Sequence, residues 1–265
     1  MSSSSAVSEQ ASQCAHLGDE ARLNELLGVA FDQVDLVDVA LMGLKGGHVA
    51  LVERFLARPD VKAARQNPDF ITPFQWAIQN DQAAAIEAFL TEGYLWLTVR
   101  ASWHLQAAIN HGSSAVVATL LPHVDLAGSE ANLIEAAADT FSGSAAQDPP
   151  HRLDIARQIM RVCDPRLNHS AALMTAVRNG DDAMVALLWP QSDPEDLAAV
   201  CIANEQWSDL DSLAAYMPLT VQEDWARRYP DERLPMTNER VRVRHRVQQL
   251  ERLDAVSCRR PRPRG

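Results

Sequence analysis

A helix, a break and a second helix recur along this chain, and across three successive units the break repeats after 34 and then 31 residues. Such a period restricts a chain to folds in which each unit buries its apolar face against its neighbours. The clearest unit begins Thr72-Pro73-Phe74-Gln75-Trp76-Ala77-Ile78 and closes at Gly93. Thr72 is placed to cap a helix, with Pro73 at the first helical position, where a missing N–H costs nothing. Phe74, Ala77 and Ile78 share one helical face, Asn80-Asp81 breaks the helix, and Ile86, Phe89 and Leu90 mark a second one that Gly93 closes.

Gly47-His48 lies 34 residues before Asp81-Gln82, with Leu51, Val52, Phe55 and Leu56 behind it. Ala107-Ala108-Ile109-Asn110-His111-Gly112 lies 31 residues after the reference unit. Ala176-Val177-Arg178-Asn179-Gly180 repeats the pattern, and poorer copies sit at Cys14–Asp19, Ala136–Ala138 and Val200–Asn204. Laid end to end, these units predict an all-α solenoid of about seven stacked helix pairs over 11–217. A disordered stretch is expected at 1–10, a turn-rich linker at 218–235, and a basic helix and tail at 236–265.

The reference unit resembles the ankyrin repeat, whose pattern runs Thr-Pro-Leu-His-x-Ala-Ala and ends Leu-Leu-x-x-Gly. Thr72, Pro73, Ala77 and Gly93 match it outright; Phe74, Ile78, Ile86, Phe89 and Leu90 match in kind. The family's β-hairpin stretch is essentially missing, so the resemblance implies short linkers, few β-fingers and a protruding loop at Thr140–Pro150. It also implies a partner-binding concave face, at the two variable positions after the Ala pair of each first helix. In this chain those positions are His16, Lys45, Gln79, Asn80, Asn110, His111, Asp139, Thr140, Arg178, Asn179, Asn204 and Glu205.

Composition agrees with a helical, folded chain: 47% hydrophobic and 22% charged, with Ala and Leu leading the apolar set. No apolar run approaches the roughly 18 residues of a membrane span, and the Ser-rich start lacks the basic flank and apolar core of a secretory signal. Cys14, Cys163, Cys201 and Cys258 are far apart and form no CxxC pair, which points to a reducing cytosol and away from zinc fingers. Cys14 and Cys201 fall at small-residue packing positions; Cys163 and Cys258 are expected to be more accessible. Residues 1–232 hold 14 Lys+Arg against 32 Asp+Glu, a net −18, and residues 233–265 hold 10 Arg against 3 acids, a net +7. Lys45 and Lys62 are the only lysines. Lysine scarcity and the Ser-rich start suit a bacterial effector exported into a host cytosol.

Three functions follow. The first is a protein-binding adaptor working through the concave face. The second is nucleic-acid binding through the tail, where Arg240, Arg242, Arg244, Arg246, Arg259 and Arg260 would neutralise phosphates. The third is an enzyme with a groove site, which needs His104, His111 and His151 to converge, or His151 to pair with Asp154. The chain lacks GxGxxG, a phosphate loop, GxSxG and HExxH, so neither a cofactor nor a metal is expected. The adaptor leads, with a protein partner and no membrane role.

Overall fold

The computed structural model of the chain describes residues 3–64, 66–94, 101–139, 149–218 and 222. These residues are helical wherever they are regular, with no strand among them. The chain divides into two compact units, Met1–Asp164 and Pro165–Gly265.

In the first unit five helical hairpins follow one another: α1 (Ser3–Leu17) with α2 (Glu20–Ala30), α3 (Leu36–Lys45) with α4 (Val49–Ala57), then, after a short α5 (Pro59–Ala63), α6 (Ile71–Gln79) with α7 (Ala83–Thr91), α8 (Ala101–His111) with α9 (Ser114–Leu120), and α10 (Glu130–Ala138) with α11 (Pro149–Ile159). First helices pack in succession, α1 on α3, α3 on α6, α6 on α8 and α8 on α10. Among second helices α4 packs on α7, α7 on α9 and α9 on α11. Most of these helices are too short to persist alone in water, so tertiary burial must hold them.

One turn recurs inside the hairpins. The residue after the helix end takes a left-handed conformation, and the next N–H reaches back five residues. Asp19, His48, Gln82 and Ser113 donate in this way to the carbonyls of Cys14, Gly43, Ala77 and Ala108, each at 2.9 Å. The left-handed residue is glycine at 18, 47 and 112 and Asp81 in the reference unit, with φ 51°. This is the Schellman arrangement, which satisfies carbonyls that a helix end leaves open. Asp81 repays its strained backbone elsewhere. Its carboxylate accepts from the N–H of Val116 at 3.0 Å, capping the start of α9, and Ser113 Oγ donates to the Ile78 carbonyl at 2.6 Å. Neighbouring turns are thereby tied together.

Counted back from the left-handed residue, positions three, four, seven and eight are buried in α3, α6 and α8: Val39, Ala40, Gly43 and Leu44; Pro73, Phe74, Ala77 and Ile78; His104, Leu105, Ala108 and Ile109. The core of the third hairpin is aromatic. Phe74 meets Phe89 edge-on with centroids 5.7 Å apart, Phe89 meets Tyr94 at 5.4 Å, and Tyr94 meets Phe70 at 5.1 Å. Such pairs add roughly 0.5–1.5 kcal/mol each to area burial.

The second unit contains α12 (Leu167–Asn179) with α13 (Asp182–Leu188) and α14 (Pro194–Ala203) with α15 (Trp207–Ala214); α12 packs on both α14 and α15. Its hairpin turns repeat the motif, with Gly180 and Glu205 left-handed and Asp181 and Gln206 donating to Ala176 and Cys201 at 3.1 and 2.8 Å. At the head of α12, Asn168, His169 and Ser170 are left-handed in succession. Two bonds pin this strained turn: Asp193 N–H donates to Ser170 Oγ at 3.0 Å, and His169 Nδ1 lies 2.8 Å from the Asp196 carboxylate.

Several expectations need correction. Residues 3–10 are not disordered but form the first half of α1, where Asp35 N–H donates to Ser8 Oγ at 2.9 Å and α1 packs on α3. Thr72 does not cap α6, which starts at Ile71 directly from a 3₁₀ turn at Pro68–Phe70. The cap there is Asn67, which accepts from Asp69 N–H at 2.9 Å. Cys163 is buried, not accessible. Most of the 140–150 insertion, the 218–235 linker and the basic tail lie outside the described residues, apart from Pro149, Pro150, Pro218 and Gln222.

Two consequences are testable by urea unfolding followed by circular dichroism. A Cβ at Gly46 would stand 2.2 Å from the His16 carbonyl oxygen, so Gly46→Ala is expected to cost about 3 kcal/mol. Glu205→Gly relieves a left-handed L-residue at an exposed site and should gain about 0.5–1 kcal/mol, whereas Asp81→Gly loses the α9 cap and should cost about 1 kcal/mol.

Candidate functional site: the first-helix face

Burial at positions three, four, seven and eight before the turn leaves two, five, six and nine facing outward. On α3 this open stripe is Asp38, Leu41, Met42 and Lys45; on α6 it is Thr72, Gln75, Trp76 and Gln79. On α8 it is Trp103, Gln106, Ala107 and Asn110. The α10 stripe, Asn132, Glu135, Ala136 and Asp139, follows the same spacing. Since these four helices pack side by side in that order, the stripes form one surface of aligned columns. Lys45, Gln79, Asn110 and Asp139 make one column. Met42, Trp76, Ala107 and Ala136, all half-buried, make the next.

His16, Lys45, Gln79, Asn80, Asn110, His111 and Asp139 therefore stand at successive first-helix ends in the first unit, all at least partly exposed. Asn80 donates from Nδ2 to the Trp76 carbonyl at 2.8 Å, closing α6, and Gln106 Nε2 lies 3.4 Å from Asn110 Oδ1. Thr140 lies outside the described residues, as do Arg240, Arg242, Arg244, Arg246, Arg259 and Arg260. Arg178, Asn179, Asn204 and Glu205 belong to the second unit, at the ends of α12 and α14. Arg178 forks onto Asp209 of α15, Nε to Oδ1 at 2.9 Å and Nη2 to Oδ2 at 2.5 Å, so its guanidinium clamps two hairpins.

The column reading misses Leu17, which is 67% exposed at the end of α1, and Trp103, which is 52% exposed. The signal for Trp103 is its place nine residues before Gly112, in register with exposed Thr72. Register also explains His104. It falls on the core position held by Pro73 in the preceding unit, is 1% exposed, and meets the Phe74 and Trp103 rings edge-on at 5.0 and 5.1 Å.

Burial pushes the thiols of Cys163 and Cys201 above their ordinary value, helped by the charges of Glu130 and Asp209; burial and Asp19 do the same to Cys14. A thiol held protonated is a weak nucleophile. Asp154 pairs with Arg157 at 2.9 Å. Among the described residues no group of three or more His, Cys, Asp or Glu side chains is placed to hold a metal ion, and no helix is long and apolar enough to cross a membrane. No protein-family model, curated protein or solved structure matches this chain.

The Arg178 hydrogen bonds hold the Asp209 carboxyl below its usual range. A lowered folded-state pKa means that the pair stabilises fully above about pH 4, where an unfolded Asp is ionised, and that this is lost as pH falls through the folded value. Asp209→Asn is expected to cost less than about 1 kcal/mol at pH 7. It should also flatten the fall in stability between pH 4 and pH 2, as read from urea midpoints across that range.

Proposed function

We propose that this chain is a protein-binding adaptor. In this reading its hairpins are degenerate ankyrin-like repeats stacked as a solenoid, and the partner lies on the first-helix face of the first unit. The observation that carries the proposal is the set of four open stripes in register on α3, α6, α8 and α10. A helix bundle closed on itself would cover such positions. Here they stay at least partly exposed across four successive helices and combine a half-buried apolar column with a flanking polar one. That is the anatomy of a protein interface, with an apolar centre and a polar rim. Trp76 and Trp103 belong to the residue type that most often anchors binding energy. The cross-links that fix the stack follow the repeat spacing. Arg54 forks onto Glu20 at 2.8 and 2.5 Å, and Arg58 Nη1 donates to Asn24 Oδ1 at 2.8 Å, both across 34 residues.

The test is affinity capture with the full chain, comparing wild type, the triple variant Gln79→Ala, Asn110→Ala, His111→Ala, and Arg178→Ala as a control in the other unit. A partner retained by wild type and by Arg178→Ala should be depleted at least tenfold by the triple variant, with an unchanged circular dichroism melt. A partner that survives the triple variant overturns the assignment of the face.

A further inference from the structure

We propose that the first-helix face takes an extended polypeptide segment laid across α3, α6, α8 and α10, with its main chain read by side-chain carboxamides. This rests on the protein-binding reading above and specifies the partner's form.

The middle of the face lacks formal charge. Neither the α6 nor the α8 stripe contains a carboxylate, an amine or a guanidinium, although residues 1–232 carry a net −18. In place of charge stand four carboxamides, Gln75, Gln79, Gln106 and Asn110, and two indoles, Trp76 and Trp103. A carboxamide presents a donor and an acceptor in one plane, the same pair that a peptide unit presents. The main-chain groups of a folded partner are already bonded to one another, so an array of carboxamides finds few matches on a folded surface. An extended segment offers unpaired N–H and C=O groups along its length. The indole rings give its side chains rigid apolar platforms at low entropy cost.

Dimensions agree. Packed helices stand about 8–10 Å apart, so the three steps from α3 to α10 span up to about 30 Å. At about 3.3 Å per residue that is roughly nine residues of extended chain. The segment that fits is uncharged in its middle.

The probe is an array of random nine-residue peptides screened with the full-length protein, with hits measured by fluorescence anisotropy. Hits are expected to be uncharged centrally. Gln79→Ala and Gln106→Ala should each weaken a hit about tenfold, as should N-methylation of its central amides. Gln79→Glu, which keeps the size but removes the donor, should weaken binding by a similar factor, and circular dichroism melts exclude unfolding as the cause. Affinity indifferent to N-methylation and to the carboxamide variants overturns the proposal, as does binding confined to oligosaccharides on a glycan array. If no peptide binds but a folded partner is lost with the triple variant described above, the extended-segment inference fails and the protein-binding reading stands. If neither binds through this face, both fail.

Discussion

The hydrogen bond that runs back five residues across the ends of α1, α3, α6, α8, α12 and α14 does more than reverse the chain. It fixes the rotational phase of the helix before it. Once the left-handed residue is set, helical geometry decides which positions meet the core and which remain open, because residues three, four, seven and eight back share one side. The buried sets Val39-Ala40-Gly43-Leu44 and Pro73-Phe74-Ala77-Ile78 are the same set counted from Gly47 and Asp81. Core packing and the open face are thus two readings of one constraint. A substitution that moved the left-handed residue one position earlier would rotate the preceding helix by about 100°, driving Trp76 toward the core and Ile78 toward solvent.

That dependence explains what could be read from sequence. Turn residues and the apolar residues flanking them are local signals, so the break at Asn80-Asp81 and the helical class were legible. The outward column next to the turn was legible for the same reason. Features set by tertiary contact were not. α1 offers little apolar pattern, with alanines at its buried positions Ala11 and Ala15, and it is ordered by close packing on α3, where Gly46 lets the chain approach the His16 carbonyl. Thr72-Pro73 looks like a helix start by local rules, yet the 3₁₀ turn at Pro68–Phe70 begins the helical path earlier and buries Phe70 against Tyr94. The stripe through Trp76 and Trp103 was missed because it requires counting back from the turn through the whole helix.

Charge is distributed with the same economy. Cations are scarce in this acidic body, and several lie between hairpins: Arg54 on Glu20, Arg58 on Asn24, Lys62 with Glu92, and Arg178 on Asp209. These pairs are exposed or half-exposed, so each contributes little to stability. Their geometry does something else. A forked guanidinium holds its carboxylate in few orientations, so the Arg54–Glu20 and Arg178–Asp209 pairs bias the hairpins they join toward one register, supporting the alignment that the turns begin.

Under the proposed protein-binding role, the uncharged middle of the first-helix face answers two competing demands. A surplus of carboxylates keeps the body soluble and discourages self-association. The same carboxylates in a contact surface would have to be desolvated on binding, at a cost that exposed ion pairs seldom recover. Carboxamides and indoles avoid that cost and still specify hydrogen bonds and shape. A chain under both demands should hold its charge on the outer helices and turn edges and keep the contact columns neutral. The α6 and α8 stripes have that character, and they lie on helices that the Asp81 and Ser113 cross-links hold most directly in register.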